Sequence, residues 1–156
     1  MRSLSQKEEG SSVYLADTDI FFFYLKGGRF SEQARQIIRS ASSSMVELRT
    51  SSEVYDDAVT AMRSDNIAFA IIRDFISKMK SIPHKSLPMS AEIAEEALAI
   101  YQRYGGRSKL SYFDSFHAAT AKRYGLPLLT SDGYLIRHGN DLGISVTALS
   151  LIALNK

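Results

Sequence analysis

Four carboxylates in this chain stand where the surrounding pattern reads as protein interior: Asp17, Asp57, Asp114 and Asp132. Asp17 ends the apolar run VYLAD, and Asp132 follows LPLLTS. Residues three, four and seven apart share a helical face. By that rule Asp57 falls within a stripe of Val54, Ala58 and Ala61, while Asp56 turns to solvent and Glu53 stands in reserve one turn earlier. Asp114 shares a small, inward-looking face with His117, Ala118 and Ala121. Burying an ionised carboxylate without a partner is very costly. Either each acid has a local partner or several share a cation.

The local readings are concrete. Asp17 or Asp19 suits the N-cap of a following helix. Ser111-x-x-Asp114 approaches a capping box, and Asp132 in TSDG suits a turn or an N-cap. Singly, these readings hold their own. Together, four acids from separate stretches at strand ends or inward faces favour a shared ion. An oxygen-only set suits Mg²⁺ or Mn²⁺. Such an ion activates water and neutralises the charge that develops on a phosphodiester.

Short apolar runs alternating with helical patterns must position these acids. Strands are expected at VYLAD, LPLLTSD and ISVTAL, with a weaker one at SMVELRTS. Helices are expected at TDIFFFYLK, SEQARQIIRSAS, SEVYDDAVTAMRS, NIAFAIIRDFISKMK, SAEIAEEALAIYQRY and SYFDSFHAATAKRY. Ser90 and Ser111 are the expected N-caps of the last two, and Gly105 and Gly125 end them. Ala94, Ala97, Leu98, Tyr101 and Tyr104 form the expected inward stripe of the helix that Ser90 opens. SIPHKSLPMS, with two prolines, reads as an irregular or extended connection. The alternation predicts an α/β fold: a three-layer α/β/α sandwich around a central, mostly parallel sheet. Sites in such folds gather beyond the carboxyl ends of strands, where Asp17 and Asp132 lie.

Bulk properties narrow the function classes. The chain has 156 residues, 45% hydrophobic, and a formal net charge of +2. That is enough chain for one domain with a proper core. Weak basicity permits an anionic partner without requiring one. With no cysteine, disulfides and thiolate metal sites are excluded, and a cytoplasmic location fits. No apolar run approaches the ~20 residues that cross a bilayer, so no membrane partner is expected. Residues 1–11, polar and without an apolar core, read as a flexible tail rather than a signal peptide, ahead of a domain spanning 12–156.

At these residues the chain resembles PIN domains. VYLADTDIFFFYL resembles their opening strand and turn, where Asp-Thr or Asp-Ser follows an apolar strand. LSYFDSFHAATAKRYGLPLLTSD resembles their closing signature, with D-x-x-H-A-A-x-A and a later T-S-D. TSSEVYDDAVTA is similar to the middle segment that carries the second acid. The resemblance implies a metal-dependent endoribonuclease whose four acids map onto Asp17, Asp57, Asp114 and Asp132. The first three would be the metal ligands, and the fourth would act through water or on a second ion. Thr18 and Ser131 match positions that orient the first and fourth acids. VapC-type relatives are toxins held by a small antitoxin and often dimerise, so antitoxin and homodimer are the implied protein partners, with RNA as substrate. Two departures stand out. Asp57 replaces the usual Glu, which leaves direct reach, reach through water, or substitution by Glu53 as alternatives. Asp19 replaces the usual Asn or Ser, adding a charge to the site or capping the helix.

Arg103, Arg107 and Lys109, interleaved with tyrosines, could grip phosphate while rings stack on bases. An ordinary solvated loop explains them as well. His117 on an alanine-rich face reads as a packed residue rather than a general base, and Phe21–Tyr24 as core rather than a stacking platform. Two other functions compete. One is a PIN fold without catalysis that binds RNA or protein. The other is a phosphatase of the haloacid dehalogenase type, suggested by the D-x-D of Asp17 and Asp19, although Ile20-Phe21 replaces the pair that usually follows.

Overall fold

A computed structural model describes residues 11–154. Residues 1–10 of the expected tail lie outside the described residues. Among the described residues, five strands form one parallel sheet: β1 (Ser12–Ala16), β2 (Val46–Ser51), β3 (Lys85–Leu87), β4 (Leu128–Thr130) and β5 (Val146–Ala148). Their order is β3-β2-β1-β4-β5, and every pairing is parallel.

Among the described residues, seven α-helices connect them: α1 (Thr18–Lys26), α2 (Ser31–Ser42), α3 (Val54–Ser64), α4 (Phe69–Ser81), α5 (Ala91–Tyr104), α6 (Tyr112–Tyr124) and α7 (Gly133–Leu142). Strand side chains alternate between faces, and two cores result. Ala16 and Leu129 join Ile20, Phe21, Met62 and Phe75 beneath α1–α4. Leu15 and Leu128 join Ile93, Ala97, Leu110 and Leu135 beneath α5–α7. The expected three-layer sandwich is the observed architecture.

Local chemistry sets the ends of the two best-signalled helices. Ser90 accepts the Ile93 N–H at 3.2 Å, and Ser111 accepts that of Asp114 at 3.2 Å. Gly125 closes α6 in the left-handed region at φ 63°, where only glycine sits without strain.

Three expectations need correction. β1 starts at Ser12 and stops at Ala16, so Asp17 is the cap after the strand rather than its last residue. SIPHKSLPMS contains the short strand β3, which pairs with β2 on one side only. A sheet edge tolerates the flanking prolines because few ladder donors are needed there. On α5 the fully buried residues are Ile93, Ala97 and Ile100, while Leu98 is 52% exposed. The stripe is rotated because the isoleucines, larger than alanine, fill the space against α6.

Candidate metal centre

The chain runs from β1 outward through β2 and β3, then crosses back to β4 on the other side of β1. The order of strands therefore switches between β1 and β4, where open α/β sheets place their clefts. A cavity of about 360 Å³ opens there, lined by Asp17, Thr18, Asp19, Phe22, Asp57, Ser111, Asp114, Ser131 and Asp132. All four acids singled out from the sequence line it. A roomier cleft of about 470 Å³ lies by the amino ends of β2 and β3. Its Glu47 and Arg49 satisfy one another at 2.9 Å.

Asp17 is the N-cap of α1 and is 4% exposed. Its Oδ1 accepts the Thr18 N–H at 2.7 Å, and its Oδ2 accepts the Thr130 hydroxyl at 2.7 Å. Asp57 projects from the first turn of α3. Its Oδ2 accepts the Thr18 hydroxyl at 2.6 Å and the His117 Nε2–H at 2.9 Å. Asp114 sits in the first turn of α6. One ligand atom from each of these three and His117 Nε2 all lie within 4.8 Å of one another. The shorter second acid thus joins the cluster directly, whereas Glu53 takes the N-cap position of α3 and does not line the cavity.

Asp132 is not part of that tight group. It lines the same cavity, but its Oδ1 accepts the Leu135 N–H at 2.9 Å and caps α7. Both of its readings, cap and cavity acid, hold at once. Asp19 does not cap α1. Its Oδ2 accepts both the backbone N–H of Ser131, at 2.8 Å, and the Ser131 hydroxyl. Its Oδ1 is buried with no hydrogen-bond partner among the described residues. Arg103, Arg107 and Lys109 are exposed and line no part of the cavity.

His117 is the residue that the sequence undervalued. It is packed, as expected, with no exposed surface. Yet its ring also bridges the acids: Nδ1 meets Ser51 Oγ at 2.6 Å, and Nε2 meets Asp57 at 2.9 Å, Thr18 Oγ1 at 3.1 Å and Asp17 at 3.8 Å. Its place one turn after Asp114 was the available signal.

The electrostatics follow from burial. Burial pushes the Asp17 carboxyl up to about 7, with the Asp114 charge adding and His117 and Thr130 opposing. Burial likewise raises Asp114 to about 6, against the nearby His117 cation. Asp19 rises to about 8, through burial and then the Asp17 charge. Burial alone would lower His117, but its hydrogen bond to Asp57 and the charges of Asp17, Asp57 and Asp114 lift it to about 9. The surrounding carboxylates thus favour the protonated form of His117.

The donor set fits a hard divalent cation. Asp17, Asp57 and Asp114 would hold it, since carboxylate oxygens suit Mg²⁺ and Mn²⁺. Fully ionised, these three acids and the His117 cation leave two unbalanced negative charges, which one divalent ion would cancel. The orphaned Asp19 Oδ1 is a further buried oxygen facing an unmet demand.

The family profile described as PIN domain matches residues 14–140. Solved structures share the fold. VapBC2 from Rickettsia felis, bound to a DNA fragment from its promoter, aligns at TM-score 0.62 and 15% identity, covering 87% of this chain and 98% of the other. VapBC-1 from nontypeable Haemophilus influenzae aligns at TM-score 0.59 and 15% identity, covering 88% and 98%. VapBC-5 from Mycobacterium tuberculosis, of the VapBC family of toxin–antitoxin systems, aligns at 0.53 and 17%, covering 88% and 97%. No curated protein matches the chain.

Proposed function

This chain belongs to the PIN domain family, and from that premise we propose that it is a metal-dependent endoribonuclease hydrolysing RNA phosphodiester bonds. The observation that carries the reading is the convergence of Asp17, Asp57 and Asp114 on one small volume at the sheet's switch point. Asp17, Asp57 and Asp114 would hold Mg²⁺ or Mn²⁺, which would supply Lewis-acid chemistry for hydrolysis of a phosphodiester.

The chain's own residues prepare that chemistry. Thr18 orders two acids at once, its N–H on Asp17 and its hydroxyl on Asp57. Thr130 fixes the other oxygen of Asp17. His117 holds Asp57 in place and offsets part of the acids' mutual repulsion. Asp19 and Ser131 tie α1 to the segment between β4 and α7, which carries Asp132. Such partners orient ligand side chains and strengthen metal binding.

The phosphatase reading finds no support in this geometry. Both oxygens of Asp17 are engaged by Thr18 and Thr130, and Asp19 is bound to Ser131. A non-catalytic module would not need three carboxylates crowded against burial cost. A toxin role, with a small antitoxin and a homodimer, is consistent with the VapBC likenesses.

The test is cleavage of a mixed panel of single-stranded and structured RNAs with Mg²⁺, with Mn²⁺ and with chelator, comparing the protein with Asp114→Asn. Cutting that needs metal and disappears in the folded variant supports the reading. Cutting that survives in Asp114→Asn would place the chemistry elsewhere. Absence of cutting with every RNA and either metal, by a well-folded protein, would favour the binding module.

A further inference from the structure

Among the described residues, Phe22 is the one lining the acid cavity that is neither Asp, Ser nor Thr. The expectation that Phe21–Tyr24 would be core holds fully for Phe21; Phe22 packs against the same core but is half-buried, at the cavity wall, and Tyr24 is exposed. One face of the ring is backed by Phe75, stacked with centroids 4.9 Å apart and planes 30° apart. Phe75 is itself core, 5% exposed, so the Phe22 ring is held in place before anything binds. Lys26 Nζ lies 5.7 Å from the Phe22 centroid and 5.9 Å from that of Phe75. It lies over both rings, within cation–π reach of each.

Thr18, Phe22 and Lys26 are successive i, i+4 positions on α1, so they share one face. A rise of 1.5 Å per residue sets them about 6 Å apart along the axis. That face leads from the acids, through Thr18's bond to Asp57, to an aromatic ring and then to an exposed cation. Carboxylates for an ion, a flat apolar face and a lone ammonium are what a phosphodiester, its neighbouring base and the next phosphate would meet in turn.

We infer that Phe22, backed by Phe75 and flanked by Lys26, is the stacking platform for one unpaired nucleobase beside the phosphodiester held at the acids. The inference rests on the nuclease reading. A paired base has both faces occupied within its helix, so only an unstacked base can lie on the ring. Every base offers a π-face, so the platform is tolerant of base identity.

The experiment measures KM and kcat with Mn²⁺ for a short labelled single-stranded RNA, for the same RNA as a duplex, and for a series with one abasic residue at each position. The proteins are the unaltered chain, Phe22→Leu and Phe22→Tyr, each checked for cooperative melting. Phe22→Leu keeps an apolar contact with Phe75 but removes the ring, and is expected to raise KM by about 5- to 150-fold, the range for one lost base–aromatic stack, with kcat little changed. Phe22→Tyr is expected to retain the unaltered KM. One abasic position, at fixed distance from the cut, is expected to cost the unaltered protein a similar factor and Phe22→Leu nothing further. A flat abasic scan on the unaltered protein overturns the inference, even where Phe22→Leu fails to fold. Equal cutting of duplex and single strand, or an unchanged KM in folded Phe22→Leu, overturns it too while leaving the nuclease reading intact. An unaltered protein that cuts no RNA sinks the nuclease reading and this inference with it.

Discussion

Lowering the pH from 8 to 5 is expected to weaken Mn²⁺ binding by about a thousandfold, because two of the three ligands must lose a proton first. Burial holds Asp17 at about 7 and Asp114 at about 6. At pH 8 both are almost fully ionised. At pH 5 ionised Asp17 is about one part in a hundred and ionised Asp114 about one in ten, and the two factors multiply. Ordinary aspartates, with pKa near 3.9, would leave the affinity nearly flat over the same range. The same values fix proton release. At pH 6.5 about three quarters of Asp17 and a quarter of Asp114 carry a proton, so about one proton leaves per ion bound. Isothermal titration calorimetry across the pH range measures the first quantity. Repeating it at pH 6.5 in two buffers of different ionisation enthalpy counts the second. An affinity that changes less than about threefold from pH 8 to 5, with no proton released, would refute the burial argument and the ligand assignment together.

Three further outcomes follow from the same geometry. The metal-free protein should melt at lower temperature at pH 8.5 than at pH 5.5: Asp17, Asp19 and Asp114 have folded pKa values raised above the unfolded 3.8, so their stabilising contribution is complete below that value and lost as pH rises through 6 to 8. His117, raised from 6.5 to about 9, has the same sign at still higher pH. Calorimetric scans with Mn²⁺ should narrow or reverse the difference, and a metal-free melting point that climbs with pH would contradict it. Thr18→Val removes a hydroxyl that meets both Asp57 and His117, and should weaken Mn²⁺ binding by about 10- to 100-fold in a folded protein. Asp57→Asn should abolish tight Mn²⁺ binding while Glu53→Gln leaves it unchanged by titration, and the reverse result would move the second ligand to Glu53.

The amino-acid sequence by itself determined most of the elements and their order, β3 and α7 being the exceptions. Helix periodicity, Ser90 and Ser111 as caps, Gly125 as a stop, and short apolar runs are local signals, written within about one helical turn of the residues that use them. The four acids were legible for a similar reason, since a carboxylate inside an apolar pattern is conspicuous wherever the chain later goes. What the tertiary structure alone decided is which atoms meet. Whether Asp57 or Glu53 faces the site depended on how α3 docks against α1 and α6. Asp19's partner, Ser131, lies 112 residues away, and Asp17's partner Thr130 lies 113 away. No periodicity reaches that far. His117 illustrates the limit: local pattern correctly marked it as packed, but only strand order β2-β1-β4 gathers Ser51, Asp17 and Asp57 around it and turns a packed imidazole into the hub of the acid cluster. Phe22 shows it again, because an apolar run states that rings will be buried but not which one borders a cavity that only the crossing from β3 to β4 creates.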